Sequence, residues 1–281
     1  MAILKEESSG NLSGKLGRVG CRNTKHGTVM VQLPDVVVNP RTPKQQRGRL
    51  LLNHLTRFFT QIKPELPNAF EIKAPNHTDT NAFVSANYHG SYPVFLPELW
   101  RQNYASVLAP YRVTDGYLPS VEVVLSGSGY RTNISLDGFA SGSDATVGDW
   151  AEAILENNDD YHPGDEIIYL ACWQRVSPEG VPQVAAKSYR LVLDPGDERL
   201  ASAVLPAEGF GVVDGFLGQP LSAGDAADGF AWIHYREQGG RFQISSQYLT
   251  VRDLSRAARY GTDEALAAAV ASLKWDEINP F

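Results

Sequence analysis

The sequence predicts a mainly β protein with a few helices, in the α+β class, and three observations support this prediction. The 281 residues are 43% hydrophobic and include 25 glycines and 17 prolines, which is typical of a globular chain rich in strands and turns. Segments of alternating apolar and polar residues recur between turn signals. Fewer segments show helical spacing. The predicted order is an N-terminal β element with helices over residues 1–110, a small β-sandwich-like module over 111–200, and a second small β module over 201–281, built on a β-hairpin with a C-terminal helix.

The N-terminal β element is predicted over residues 14–38. The run GTVMVQL alternates two sets of side chains, one for each face of a strand: Val29, Val31 and Leu33, then Thr28, Met30 and Gln32. The NTKHG segment supplies a turn between two short strands. Glycines stand at every third position, 14, 17 and 20, and in a strand such glycines mark bulges or close approaches of the backbone.

A long helix is predicted after the turn at Asn39-Pro40. Thr42 is a suitable N-cap, Pro43 suits the first helical position, and Gln45 completes a capping box. Pro64 ends the helix. Five apolar residues follow helical spacing and should face the core: Leu51, Leu55, Phe58, Phe59 and Ile62.

Two further helical segments are predicted before residue 110. The first covers 79–90, with Thr80 or Asn81 as its cap and Gly90 as its stop signal. Phe83 and Ala86 are its expected inward residues. A short helical turn is expected over 97–108.

The middle of the chain predicts a hairpin, a helix and two strands. VEVVL and YRTNISL flank SGSG, which indicates a hairpin over residues 121–136. Thr146 should cap a short helix. DEIIYLACWQRV predicts a buried strand and KSYRLVL an alternating one, and this spacing suggests a small β-sandwich.

The last segment predicts a second hairpin and a helix. FAWIHYR and RFQISSQYL flank EQGG, the clearest hairpin signal in the chain. Both faces of its first strand are apolar, so we expect that strand to be buried on both sides. Thr262 should open an Ala-rich helix.

Charge is distributed unevenly along the chain. Residues 1–63 contain eleven Lys or Arg and three Asp or Glu, a net charge of +8, so the rest carries −15 of the total of −7. A basic segment on an acidic body favours nucleic acid or the acidic surface of a neighbouring copy as its partner. The residues expected at an assembly interface are Lys15, Arg18, Arg22, Lys25, Arg41, Arg47 and Arg49.

Signatures of catalysis are missing from the sequence. It contains no G-x-S-x-G, H-E-x-x-H or Walker-type phosphate loop. His162 with Asp159, Asp160 and Asp165 could form a loose cation site, although a polar loop is the favoured interpretation. We expect His234 to be a core or cross-strand histidine and Cys172 a buried free thiol. We therefore predict no enzyme, no cofactor and no metal site.

Two motifs resemble a known group of proteins. GKLGRVG (residues 14–20) and NPRTPKQQRGR (39–49) are similar to the G-K-x-G-x-V-G and N-P-R-T-x-x-Q motifs of an uncharacterised domain family that is widespread in Bacteroidota genomes. Similar helix starts occur in predicted phage structural proteins. The resemblance is most specific over roughly the first 60 residues and looser after them. It implies a β-rich, non-enzymatic protein and supplies no catalytic residues.

The expected function is that of a structural protein that assembles with copies of itself or with other structural subunits, in a virion or an extracellular filament. N-terminal strand exchange is the expected contact. One alternative is glycan or protein binding by the later β modules, with Trp150, Trp173 and Trp232 as candidate contacts. Another is nucleic-acid binding by residues 1–63. We expect neither a cleavable secretory signal nor a membrane-spanning segment.

Overall fold

The computed structural model describes residues 2–4, 14–24, 27–33, 42–88, 94–95, 106–176, 182–221, 227–252 and 257–258. It divides the chain into two compact units, Met1–Thr42 and Pro43–Phe281. The mainly β architecture with a few helices confirms the predicted fold class.

The first unit is a four-stranded antiparallel sheet of order β1-β4-β3-β2. Its strands are β1 (Ala2–Leu4), β2 (Gly14–Leu16), β3 (Val19–Thr24) and β4 (Gly27–Gln32). Thr24 pairs with Gly27, so β3 and β4 are antiparallel neighbours on either side of the predicted NTKHG turn, whose residues 25 and 26 lie outside the described residues. A Cβ atom added at Gly20 would lie 3.1 Å from Leu33, so this glycine marks a close approach, as its spacing suggested.

The second unit contains two larger sheets. A five-stranded sheet has the order β10-β9-β13-β14, with β16 also paired to β13. A four-stranded sheet has the order β11-β12-β8-β7. The strands of the first sheet are β9 (Glu166–Val176), β10 (Pro182–Val192), β13 (Gly229–Gln238), β14 (Arg241–Ile244) and β16 (Thr250–Val251). Those of the second are β7 (Val123–Leu125), β8 (Gly129–Ser135), β11 (Gly211–Val213) and β12 (Phe216–Pro220).

Four helices and two small strand pairs complete the described fold. The helices are α1 (Pro43–Ile62), α2 (Asp79–Tyr88), α3 (Val147–Asn157) and α4 (Ala201–Val204). The strand pairs are β5 (Val94–Phe95) with β17 (Ala257–Ala258), and β6 (Arg112–Thr114) with β15 (Gln247–Tyr248). Within the described residues, no helix combines the length and the apolar character that crossing a bilayer requires.

The five-stranded sheet is buried on both faces, because its central strands β9 and β13 alternate apolar residues to either side. Ile168, Leu170 and Ile233 belong to a core that they share with α1 and α2. Tyr169 and Trp232 belong to a second core, which includes residues of α3, β8 and β12. The prediction that the strand around Trp232 is buried on both sides is therefore confirmed.

Helix α1 presents its predicted apolar stripe to the first core. Leu55, Phe58, Phe59 and Ile62 are fully buried, and Leu51 packs at the margin of the same core. The helix ends at Ile62, two residues before Pro64, as predicted. The Thr146 cap is also confirmed, because its side chain accepts a hydrogen bond from the Asp149 N–H in a full capping box.

Helix α2 differs in detail from its prediction. It begins at Asp79, and the Thr78 hydroxyl rather than that of Thr80 accepts the Asn81 N–H. Ala86 is exposed, and Asn87 is buried in its place. The Asn87 amide exchanges two hydrogen bonds with the Arg112 backbone, so a polar residue faces inward because it pairs with β6. The predicted Gly90 stop, residues 97–105 of the third helical turn and the helix after Thr262 lie outside the described residues.

The predicted boundaries after residues 110 and 200 do not match the sheets. Strand β9 pairs with β13, and β8 pairs with β12, so segments 111–200 and 201–281 contribute strands to the same two sheets. The described part of the chain instead divides near residue 42. Turn signals gave the ends of the strands but not their partners, since pairing between distant strands leaves no local pattern.

Replacing Phe59 by Ala should destabilise the second unit strongly. The Phe59 ring lies 4.8 Å from the Phe83 ring and 6.1 Å from the Phe70 ring, and its loss leaves a cavity in the core. We expect the free energy of unfolding in urea to fall by about 3–5 kcal/mol. Leu52→Ala, on the same helix with 48% of the residue exposed, should change it by less than about 0.5 kcal/mol. Equal losses in the two variants would contradict the placement of the stripe.

Candidate functional site

The basic residues expected at an assembly interface belong to both units. Lys15 is on β2, Arg18 is in the turn after it, and Arg22 is on β3. Arg18 and Arg22 are exposed. Arg47 and Arg49 are on α1 in the second unit, where Arg49 is half-buried, whereas Lys25 and Arg41 lie outside the described residues. The five described residues therefore belong to more than one structural element.

The turn of the first unit explains two of the spaced glycines. Gly17 and Arg18 form a two-residue turn between β2 and β3, and Gly17 has a φ of 57°, which glycine adopts without strain. Gly14, at the start of β2, has a φ of 119°. Arg18 is consequently presented at the end of a tight hairpin, and its carbonyl accepts the N–H of Leu33 at 2.6 Å.

The two units carry opposite net charges, although the basic segment 1–63 is divided between them. Residues 1–42 contain six Lys or Arg and three Asp or Glu, a net charge of +3, which leaves −10 on residues 43–281. Part of the negative charge surrounds a cavity of about 550 Å³ between α3 and the 137–145 segment. Its acidic lining residues are Asp137, Asp144, Asp149, Glu152 and Glu156. Asp149, Glu152 and Glu156 share one face of α3, so this face attracts cationic groups.

A buried charged cluster lies at one end of β9 and β13, and the sequence analysis missed it. Arg236 binds both carboxylate oxygens of Asp165 at 2.7 Å each, and the Nε2 atom of His234 lies 2.8 Å from Oδ2. Asp165 is 2% exposed and His234 is 0% exposed. The order of residues in β13 offered one signal, because His234 and Arg236 lie two apart on the same face of a strand.

This cluster removes Asp165 from the loose cation site that was the alternative interpretation of the 159–165 loop. Asp165 is occupied by Arg236 and His234, and its Oδ2 also accepts the His162 N–H, so it does not face outward with Asp159 and Asp160. Among the described residues, no group of three or more His, Cys, Asp or Glu side chains is arranged to hold a metal ion. His234 is a core histidine, as expected.

Burial and hydrogen bonding act in opposite directions on the pKa values of this cluster. Burial lowers the pKa of His234 below 6.5, and the hydrogen bond that its Nε2–H donates to Asp165 only partly offsets this effect. Burial alone would raise the pKa of Asp165, but the hydrogen bonds from Arg236 and His234 hold it below 3.8. His234 is therefore neutral near pH 7 and donates from Nε2, while its buried Nδ1 has no hydrogen-bond partner within the described part of the chain.

The geometry of the cluster is that of a structural contact between the start of β9 and the end of β13. The Tyr161 ring stacks on the His234 ring at 4.3 Å and covers it from one side. A catalytic Asp–His pair needs a nucleophile or a substrate within reach of the free imidazole nitrogen. Here that nitrogen is buried, so the geometry supports the joining of strand ends rather than proton transfer to a substrate.

The tryptophans considered for glycan binding are mainly core residues. Trp232 is fully buried and donates its indole N–H to the Gly209 carbonyl at 2.8 Å, and Trp150 is 3% exposed. Trp173 is half-buried. Two of the three rings are therefore unable to stack on a sugar at the surface. Cys172 is a buried free thiol, as predicted, and burial raises its pKa.

Comparisons of the chain with protein families, with curated proteins and with solved structures found no match. The resemblance of the N-terminal motifs to the Bacteroidota family thus stays a prediction.

Stability should fall as the pH drops below 6.5, and His234 should account for part of the fall. The unfolded chain takes up a proton on His234 near pH 6.5, whereas the folded chain does so only at lower pH. The contribution of His234 to the free energy of unfolding is therefore fully present above pH 6.5. Below pH 6.5 the free energy of unfolding decreases, by at most about 1.4 kcal/mol per pH unit for one proton. Urea unfolding between pH 5 and 8 measures this slope.

His234→Gln should flatten the slope, because glutamine keeps an amide donor near Asp165 and does not titrate. The matched control is His162→Gln, at an exposed position three residues before Asp165, which keeps the His234–Asp165 pair and should keep the part of the slope that this pair produces. The same slope in wild type and His234→Gln would contradict the assignment. Asp165 should cause a second decrease in the free energy of unfolding, below pH 3.8, because its pKa is lowered in the folded state.

Proposed function

We propose that the protein is a structural subunit that assembles with copies of itself or with other structural components through its N-terminal unit. A virion or an extracellular filament is the proposed setting. The observation that supports this most directly is that the described strands β1 to β4, within the compact unit Met1–Thr42, form a sheet of their own. A small sheet attached to a larger body is suited to joining one subunit to the next.

The edges of this sheet supply the proposed contact. In the order β1-β4-β3-β2, the outer strands β1 and β2 each have a single partner among the described residues. The other side of an outer strand presents backbone N–H and C=O groups that can pair with another chain. Strand addition gives directional hydrogen bonds, and a head-to-tail contact of this type repeats into rings or filaments.

In the proposed contact, an outer strand of the sheet pairs with an edge strand of another chain and stays in its own sheet. No strand leaves its sheet to be donated to the neighbour. All four strands of the unit already pair with one another, so strand exchange would require β1 to separate from β4 or β2 from β3. Addition at the edge leaves these ladders intact. The positive charge of the unit and the −10 of residues 43–281 would steer two copies toward each other and make assembly sensitive to salt.

The alternatives receive less support. Glycan binding through the tryptophans is disfavoured by the burial of Trp150 and Trp232. Nucleic-acid binding by residues 1–63 would use phosphate contacts, but the +8 charge of this segment is divided between two units.

Reversing two exposed charges of the first unit should weaken assembly. We expect the weight-average mass of wild type in light scattering to rise above 30.8 kDa with concentration and to fall with added salt. The double variant Arg18→Glu/Arg22→Glu should remain near 30.8 kDa over the same range.

A control with the same change in net charge separates local from global effects. Lys63→Glu/Arg241→Glu alters two exposed residues of the second unit and should assemble like wild type. A wild-type protein that stays monomeric at every concentration, or an N-terminal variant that assembles like wild type, would reject the proposal. Duplex DNA binding that is lost in the N-terminal variant alone would favour the nucleic-acid alternative.

A further inference from the structure

Strand β7 is an exposed apolar strand at the end of the four-stranded sheet. In the order β11-β12-β8-β7 it pairs only with β8. Its residues are Val123, Val124 and Leu125, and the last two are 51% and 62% exposed. Leu221, which is 54% exposed, donates its N–H to Ser128 in the turn that follows β7. Edge strands usually carry a charge or a proline that prevents further pairing, and β7 has neither.

The hydrogen-bond pattern shows which backbone groups face away from β8. Ser126 donates its N–H to the Gly129 carbonyl, so these residues form a hydrogen-bonded pair. Such pairs alternate along an antiparallel ladder, which makes Val124 with Arg131 the next one. Val123 and Leu125 consequently direct their N–H and C=O groups to the free edge, where no described residue bonds to them.

The edges of the five-stranded sheet are protected by other parts of the chain. On β10, the Val184 N–H donates to the Ser106 hydroxyl and the Ser188 N–H donates to Glu65. On β14, Ile244 donates to Glu71 and accepts the Leu118 N–H. The opposite edge of the four-stranded sheet is β11. Only Val212 of this strand directs its backbone N–H and C=O groups to the free edge, whereas its side chain packs on the core. Within the described part of the second unit, β7 is thus the edge best able to accept a strand.

The surroundings of β7 favour a basic strand. Glu122 is exposed at its start, and the exposed Asp214 accepts a hydrogen bond from Ser128 beyond its end. Arg131 on β8 offsets part of this charge and lies over the Phe216 ring. Charge complementarity across an added strand therefore requires a partner with positive side chains.

Strand β2 of the first unit has the matching features. It has three residues, as β7 does, and it contains Lys15 and precedes Arg18. Leu16 pairs with Val19 across the two-residue turn, so Lys15 is in the alternate position and directs its backbone groups to the free edge of the sheet. Gly14 and Gly17 bring no side chains that would obstruct an approaching strand.

We propose that β7 is the acceptor edge for assembly and that it pairs with β2 of a second copy of this chain. This inference rests on the proposed function and names the surface that receives the N-terminal unit. The contact joins two different surfaces, so each copy keeps one donor and one acceptor and the chain of contacts continues.

Leu125→Pro tests the acceptor edge in the full-length protein. Proline removes the outward N–H of residue 125, which takes no part in the β7–β8 ladder. We expect assembly measured by light scattering to weaken about tenfold or more, since one hydrogen bond is lost and the ring blocks the edge. Leu125→Ala retains the N–H and should assemble much closer to wild type.

A second pair of variants does not depend on proline being tolerated. Leu125→Lys and Leu125→Glu alter the same exposed side chain and leave the backbone unchanged. Because β2 is basic, the lysine variant should assemble several-fold more weakly than the glutamate variant at low salt, and added salt should reduce the difference. Equal assembly by these two variants would overturn the choice of a basic partner.

Mixing experiments distinguish this inference from the proposed function. Lys15→Pro blocks the donor edge and Leu125→Pro the acceptor edge, so each variant alone should be monomeric at concentrations where the contact, weakened about tenfold, no longer forms. Their mixture should form a dimer of twice 30.8 kDa and nothing larger. Wild-type assembly by Leu125→Pro, with assembly lost in Arg18→Glu/Arg22→Glu, would overturn β7 as acceptor and leave the proposed function standing.

Two further outcomes also decide the matter. If Lys15→Pro assembles and Leu125→Pro does not, β7 pairs with another surface, such as β7 itself, and β2 is rejected as its occupant. If neither the β7 variants nor the N-terminal variants change assembly, both the inference and the proposed function fail.

Discussion

The structure of the second unit depends on two adjacent strands, β9 and β13, that have apolar side chains on both faces. Both faces of such a sheet are apolar at its centre, so both must be buried by other elements before the fold is stable. Helices α1 and α2 cover one face, through the stripe that includes Phe58 and Phe59. Helix α3 and the four-stranded sheet cover the other. The elements that cover the sheet follow from this requirement, because α1, α3 and β8 turn apolar residues to one of the two cores.

The same constraint explains the buried charges. Where β9 begins and β13 approaches its turn, the apolar covering ends, and Asp165, His234 and Arg236 take its place. A buried carboxylate is tolerated when charged donors satisfy both of its oxygens, as Arg236 does. Removing one partner would leave the other uncompensated, so the cluster favours one alignment of the two strands over others. Its position at the strand ends makes it a determinant of register as much as of stability.

Much of the fold could be predicted where a local rule governs it. The α1 stripe, the Thr146 capping box and the hairpins at SGSG and EQGG are fixed by residues close together in the sequence, and all of them are present. The pairing of β8 with β12 and of β9 with β13 joins segments far apart in the chain, and no periodicity specifies it. For the same reason the Asp165 cluster was missed and the boundary after residue 200 was misplaced. For the candidate site, the sequence indicated the basic charges but did not indicate that they lie on two units. It also did not indicate that β7 pairs only with β8 in the described part of the chain.

The proposed assembly through the first unit joins these observations to a function. The second unit protects the edges of its larger sheet with Ser106, Glu65 and Glu71, whereas the first unit has two outer strands and an opposite net charge. Sedimentation velocity of the full chain beside its Pro43–Phe281 fragment, over the same concentrations, tests this account most directly. The account predicts large species that grow with concentration for the full chain and a single small species for the fragment. A full chain that sediments as one monomeric species at the highest concentration would contradict it.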